Sequence, residues 1–328
     1  MPDPRILITG TGGPSGISIL KDLDGGGYEL FSGDIDPYAT GLYLVPEAQR
    51  MLLPRGDDPK FTDEILELCR QLEIEVLIPT VDTELLPLVK RRGEFEATGT
   101  RLVIASQETL EVCLDKWSLH ERCEGSVRVP ATTLVDETFD PGAVGLPVIV
   151  KPRTGSGSRG IRLVAEPSEL ERLERDATLL VQELLPGPEF SLDVYADRSG
   201  EILAVVPRER LKVDSGIAIT GRTTHDPELE KFGADVARLI GLTTVANVQA
   251  KEASEGVPAL LEVNPRFPGT MPLTIASGVD MPKLAVDEAL GHDLPSAPIP
   301  FEDVAMVRHF DEHIFDFAEI EKMVEGAK

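Results

Sequence analysis

Residues 247–266, NVQAKEASEGVPALLEVNPR, carry the side chains best suited to chemistry. Two apolar runs flank the turn ASEG and read as neighbouring strands, Gln249 on the first and Glu262, Asn264 and Arg266 on the second. Residues two apart on a strand share a face, so Glu262, Asn264 and Arg266 project together, and Gln249 reaches them from the strand alongside. One carboxylate and two amide oxygens make a hard oxygen set for Mg2+, with Mn2+ as an alternative. Such a set is completed by nucleotide phosphates. Arg266 adds fixed positive charge where a transferring phosphoryl group builds negative charge.

A second constellation precedes this one. VIVKPRTGSGSRGIRLV puts Lys151 at the end of an apolar strand, followed by a glycine-rich loop containing Gly155, Ser156, Gly157, Ser158 and Gly160. Main-chain amides in such a loop can wrap phosphates, because glycine permits close approach, and Lys151 supplies a point charge. Further on, LLVQELLPGPEF offers an apolar strand whose exposed backbone can pair with an adenine edge. Glu183 and Glu189 are the acids there suited to the adenine amino group and the ribose hydroxyls. Lys116 lies upstream in LDKWSL, and RERLKVDSGIAITGRT supplies Arg208, Arg210 and Lys212.

The elements that must position these groups fall into two patterns. Through about residue 110, strands alternate with helices: RILITG, the turn GTGGPSG, the helix GISILKDL, then YELFSGDID, FTDEILELCRQLEI, EVLIPT, LLPLVKRRGEF and RLVIAS. That alternation predicts a small, open, Rossmann-like parallel sheet. The helix ETLEVCLDKWSLHERC follows, and from Arg128 the pattern turns to strands and hairpins. VRVPATTLV, PVIVKP and LLVQE read as strands, and FSLDVYAD and EILAVVPRERLKV pair across DRSG. PELEKFGADVARLIGL is an amphipathic helix, and the chain beyond about residue 272 reads as helical up to DLPSAPIP, followed by a last strand and a short tail.

These motifs resemble the ATP-grasp superfamily, and within it the large chain of carbamoyl-phosphate synthetase and its stand-alone relatives. DKW, VIVKPRTGSGSRG, QELLPGPEF, and NVQ followed by LLEVNPR stand in the family's order over residues 110–290. The resemblance implies an α/β protein, α+β in its C-terminal part: a pre-ATP-grasp domain over 1–110, an ATP-grasp domain over 111–300 with a small lid subdomain at about 125–185, and a strand and tail over 301–328. It also implies ATP and Mg2+ as cofactors. Lys116 and Lys151 would hold nucleotide phosphates, with Lys151 also near the adenine; Glu183 and the Leu185 backbone would read adenine, and Glu189 would bind ribose. Gln249, Glu262 and Asn264 would bind the metal, and Arg266 would stabilise an acyl phosphate and its tetrahedral successor. Arg208 and Arg210 fall where related ligases contact the γ-phosphate or a substrate carboxylate. One ATP-grasp unit stands where the synthetase has two, which points to a carboxylate–amine ligase with small-molecule acid and amine substrates. A kinase or a non-catalytic nucleotide-binding protein on the same fold is the alternative.

Composition narrows the classes. The 328 residues carry a formal net charge of −25, which repels nucleic acid, and no apolar run is long enough to span a bilayer. Cys69, Cys113 and Cys123 make no C-x-x-C, so neither a disulfide framework nor a zinc site is indicated, and a cytoplasmic setting fits. A homodimer is the default assembly. The turn GTGGPSG, with Asp34 and Asp36 after it, raises a nicotinamide-dependent oxidoreductase as the rival, but its glycine spacing is looser than the dinucleotide fingerprint. The turn instead suits a substrate carboxylate or amine. Asp82 and Glu84 either hold an amino group or cap the next helix, and the cap is the simpler reading.

Overall fold

The computed structural model describes residues 2–155, 157, 159–214, 217–253 and 256–326. The apolar run RILIT forms β1 (Arg5–Thr9), and the turn beyond it opens α1 (Pro14–Leu23) with proline in the first turn, where no N–H is needed. Gly10 holds φ at 67°, and a Cβ there would collide with Thr80 and Val81, so the turn requires glycine. β2 (Glu29–Asp34), β3 (Arg50–Leu52), β4 (Val76–Ile78) and β5 (Arg101–Leu102) complete a parallel sheet in the order β3-β2-β1-β4-β5. α2 (Phe61–Gln71), α3 (Asp82–Lys90) and α4 (Arg92–Ala97) supply the crossovers. Asp82 does not cap α3: the N-cap is Val81, which has no side-chain bond to offer. Glu84 turns inward, accepts the Thr9 hydroxyl and is hydrogen-bonded to the Val81 main chain at the start of the helix. Burial pushes the Glu84 carboxyl up to about 7.

The segment ETLEVCLDKWSLHERC is two helices rather than one, α5 (Gln107–Cys113) and α6 (Lys116–Cys123). Asp115 causes the break. Its carboxylate accepts the main-chain N–H groups of Trp117 and Ser118 at 2.9 and 3.3 Å, an N-cap that restarts the helix at Lys116.

Beyond it, β6 (Thr132–Leu134), β7 (Val148–Pro152), β8 (Arg162–Val164) and β9 (Leu179–Glu183), with α7 (Pro167–Glu171), form a small sheet ordered β6-β9-β7-β8. A larger antiparallel sheet follows. It is ordered β14-β13-β10-β11-β12-β15, from β10 (Glu189–Ala196), β11 (Ile202–Asp214), β12 (Ile217–Thr223), β13 (Val245–Glu252), β14 (Pro258–Asn264) and β15 (Ala305–Val307). α8 (Pro227–Leu239) covers one face, while α9 (Met271–Ala276) and α10 (Met281–Leu290) follow β14. A continuous apolar core runs from Leu7 and Leu77 of the parallel sheet through Leu110 of α5 to Leu192 and Val236.

The chain after β15 departs from a simple tail. α11 (Phe317–Gly326) returns to the first domain, where the Phe315 ring stacks on Tyr43 at 4.3 Å and Glu319 pairs with Arg50 at 2.6 Å. Among the described residues no helix is long and apolar enough to cross a membrane, and all three cysteines are free and buried.

Arg208 sits in the middle of the large sheet. Its Nε and Nη2 donate to both oxygens of Asp193 at 2.8 and 2.6 Å, and Asn247 and Thr274 donate to the same carboxylate. The side chains are 2% and 0% exposed. Arg208 is thus engaged in a buried ion pair joining β10, β11, β13 and α9, which gives it a structural role. Asp193→Ala strands that guanidinium, so the variant should lose about 3–5 kcal/mol in urea unfolding; a loss under about 1 kcal/mol, the level of an exposed pair, contradicts this role.

Candidate functional site

Lys151 is the penultimate residue of β7 and only 5% exposed. Its Nζ donates to Gln182 Oε1 on β9 at 2.8 Å and to the Leu261 carbonyl on β14 at 3.4 Å, so one ammonium ties the small sheet to the large one. Burial is the main influence on its pKa, which it lowers to about 8; the nearby Glu262 opposes that and Lys116 adds to it.

Lys116 reaches the same place from another element. The Asp115 cap makes it the first residue of α6, and Asp115 also pairs with Arg153 at 2.6 Å, next to the glycine-rich loop. The Lys116 main-chain N–H bonds the Arg153 carbonyl at 3.0 Å. Its Nζ then donates to the Gly155 carbonyl at 2.6 Å and lies 3.9 Å from Glu262. Lys116, Lys151, Arg159 and Glu262 line one pocket together with Thr154, Gly155 and Ile161. Its charged walls are cationic apart from Glu262, as a polyphosphate site requires. A larger cavity of about 480 Å³ lies elsewhere, among Asp197, Glu201, Glu288 and Asp293, and its acidic walls would repel phosphate.

The metal-ligand candidates are brought together by strand register. Gln249 on β13 pairs with Glu262 on β14, and Asn264 Nδ2 lies 3.4 Å from Glu262 Oε1. Among the described residues no three His, Cys, Asp or Glu gather as a metal cluster. A lone carboxylate with two amide oxygens fits an ion that brings further oxygen ligands on a nucleotide.

Other expected residues are engaged differently. Glu183 pairs with Arg128 at 3.3 Å and accepts the Ala131 N–H at 3.0 Å. Glu189 is ion-paired with Arg210. Leu184 is half-buried and Leu185 buried, just past the end of β9. Gly155, Gly157 and Gly160 all hold positive φ, which suits a loop that presents its amides to a ligand; Ser156 and Ser158 lie outside the described residues. Arg266, just past β14, is held by Asp82 of the first domain at 2.6 Å. Asp115, Arg153 and Gln182 were not singled out from sequence. An aspartate one residue before a helix restart is a recognisable cap, and would have given Asp115 away.

A parallel-sheet domain followed by two antiparallel sheets that share a lysine-lined pocket is the architecture of the ATP-grasp proteins. Comparison with known proteins agrees. Residues 6–103 match the family model "PylC-like, N-terminal domain", and residues 175–313 match "ATP-grasp in the biosynthetic pathway with Ter operon". The chain thus carries a PylC-like N-terminal domain followed by an ATP-grasp region, is distantly similar in sequence to carbamoyl phosphate synthase large chains, and shares its fold with biotin carboxylases.

Among curated proteins, it is 25% identical to the carbamoyl phosphate synthase large chain of Xylella fastidiosa over 80% of its own length and 27% of that relative's. The chain therefore spans about a quarter of this relative. Among solved structures, the biotin carboxylase domain of 2-oxoglutarate carboxylase from Hydrogenobacter thermophilus, in complex with MgADP, ADP and bicarbonate, superposes with a TM-score of 0.73 at 17% identity, covering 90% of this chain and 72% of that one. The L-amino acid ligase from Bacillus licheniformis gives 0.69 at 16% identity, covering 89% and 75%. At these identities the superpositions speak to fold.

Lys151 yields a pH test. Its folded pKa of about 8 lies below the ordinary lysine value of 10.5, so between those values the unfolded chain holds the proton that the folded one releases. Stability of the ligand-free protein should therefore gain from this group as pH rises through that window. A bound polyphosphate works the other way and restores the charge. Calorimetry of MgADP binding at pH 8, in buffers of different ionisation enthalpy, should show net proton uptake, and affinity should weaken as pH rises above 8. Binding without proton exchange, together with Lys151→Gln binding as tightly as wild type, contradicts the assignment.

Proposed function

We propose that this protein is an ATP- and Mg2+-dependent ligase that activates a carboxylate as an acyl phosphate and joins it to an amine, releasing ADP and phosphate. The observation that carries this reading is the meeting of Lys116, Lys151 and Glu262 around one pocket, with Gln249 paired opposite Glu262. A carbamoyl phosphate synthase large chain among the relatives and an L-amino acid ligase among the structural neighbours support it.

On this reading the two lysine ammoniums and the loop amides of Gly155, Gly157 and Gly160 seat the nucleotide phosphates. Glu183 and the main chain at Leu184 and Leu185 meet the adenine, and Glu189 meets the ribose, exchanging its Arg210 partner for hydroxyls. Gln249, Glu262 and Asn264 would hold the magnesium ion, which when bound neutralises charge on the transferring phosphoryl group. An oxygen of the substrate carboxylate attacks the γ-phosphorus while the bond to ADP breaks. Arg266 and Arg210 balance the charge that gathers on the acyl phosphate. The amine nitrogen then attacks the acyl carbon, phosphate departs, and the amine proton passes to solvent. A loop closed over the nucleotide keeps water from the acyl phosphate.

The test measures ADP and phosphate release with MgATP across paired panels of acids and amines. Release that needs both an acid and an amine is the expected result. Phosphate retained on one substrate instead identifies a kinase and contradicts the ligase reading. Glu262→Gln should lower ADP release about 10²-fold or more while the protein stays folded, and full activity in that variant removes Glu262 from the metal site.

A further inference from the structure

The turn GTGGPSG and the acid Asp82 have no part in the phosphate pocket, yet the structure brings both elements to Arg266. The strand order β3-β2-β1-β4-β5 reverses its winding between β1 and β4. The crevice beyond the carboxyl ends of two such strands is where open parallel sheets meet their ligands. Asp82 opens α3 just past β4, and Ser15 lies in the first turn of α1 just past β1.

Arg266 reaches this crevice from the other domain. Its Nε donates to Asp82 Oδ1 at 2.6 Å and its Nη2 lies 3.4 Å from Asp82 Oδ2, across 184 residues of sequence. Its Nη1 donates to the Phe267 carbonyl at 3.3 Å, and the Ser15 hydroxyl donates to that same carbonyl at 2.8 Å. The segment leaving β14 is thus held from both sides of the crevice.

The holders are themselves fixed. Ser15 and the Phe267 ring are buried, and Glu84, two residues beyond Asp82, is anchored inside by Thr9. A carboxylate that engages a guanidinium through two nitrogens sets its plane as well as its position. Contact through Nε and Nη2 takes one edge of the group and leaves N–H donors over for an incoming oxyanion. The two side chains are 20% and 18% exposed, so the pair is mostly buried yet still open on one side to an incoming group. Its geometry suits positioning: an arginine serving a charged transition state must be placed to within a fraction of an ångström.

We propose that Asp82 is a positioning residue for the ligase reaction, assisted by Ser15, and that it fixes the Arg266 guanidinium toward the acyl phosphate. The PylC-like domain then completes the ATP-grasp site by orienting one of its residues. This rests on the ligase reading above.

The experiment compares wild type with Asp82→Asn, Asp82→Glu and Ser15→Ala in two arms. Steady-state ADP release gives kcat and KM for ATP, and mass spectrometry follows the rate at which phenylglyoxal modifies Arg266. In Asp82→Asn, kcat should fall roughly tenfold to a hundredfold with KM for ATP unchanged, and Arg266 should react faster. Asp82→Glu keeps the charge and should recover part of both, while Ser15→Ala should shift both in the same direction by less. Wild-type kcat and wild-type Arg266 reactivity in Asp82→Asn overturn the proposal. A loss of activity that tracks a lowered melting temperature in every variant, with no recovery by glutamate, makes the pair merely structural and also overturns it. If the wild type turns over no acid–amine pair, the ligase reading fails separately. The modification arm still decides the positioning of Arg266, and equal rates in wild type and Asp82→Asn count against it.

Discussion

A lysine ammonium enclosed between two sheets is the constraint around which this molecule is arranged. Lys151 gives up most of its hydration and receives in return a glutamine oxygen, a main-chain carbonyl and the field of Glu262. An incompletely compensated buried cation costs free energy. Its depressed pKa is the measure of that cost. The bond from Lys151 to Leu261 also sets where the small sheet meets β14, the strand that carries Glu262 and Asn264. Lys116 and Arg159 bring further positive charge to the same pocket. A site built this way is stabilised by an anion, which is the property the proposed nucleotide phosphates would use.

Rigidity is supplied by groups that look much like functional ones. Arg208 and Arg210 lie two residues apart on β11, yet their surroundings differ. Arg208 closes a buried network with Asp193, Asn247 and Thr274, whereas Arg210 and Glu189 form a pair that keeps some contact with solvent. Removing a partner from the first would strand a charge in the core; the second can exchange partners at modest cost. The continuous core from Leu7 to Val236 and the return of α11 onto Tyr43 and Arg50 bind the first domain to the rest. That fixed relation is what allows Asp82 to meet Arg266.

Much of this was legible in the residues. Alternating strands and helices up to about residue 110 give the parallel sheet, and the period-two pattern of LLEVN places Glu262 and Asn264 on one face, opposite Gln249. What sequence could not show depends on contacts distant along the chain. Nothing local to RERLK distinguishes Arg208 from Arg210, because the counter-charge of Arg208 comes from a strand fifteen residues earlier. The pairing of Asp82 with Arg266 crosses 184 residues and follows from how the domains dock. Two departures, by contrast, had local signals. Asp115 is a cap that splits one apparent helix, and Ile320 and Met323 carry the helical spacing with which α11 packs on the first domain.

The central claim is that nucleotide phosphates lie between Lys116 and Lys151, with the metal on Gln249, Glu262 and Asn264. A crystal structure with Mn2+ and a non-hydrolysable ATP analogue tests it most directly, because the anomalous signal of manganese locates the ion independently of the nucleotide density. The account requires a manganese peak within about 2.0–2.3 Å of Glu262 oxygen, with phosphate oxygens in its coordination shell and Lys151 Nζ within hydrogen-bond reach of a phosphate. A nucleotide bound elsewhere, or a manganese ion that ignores Glu262, would contradict it.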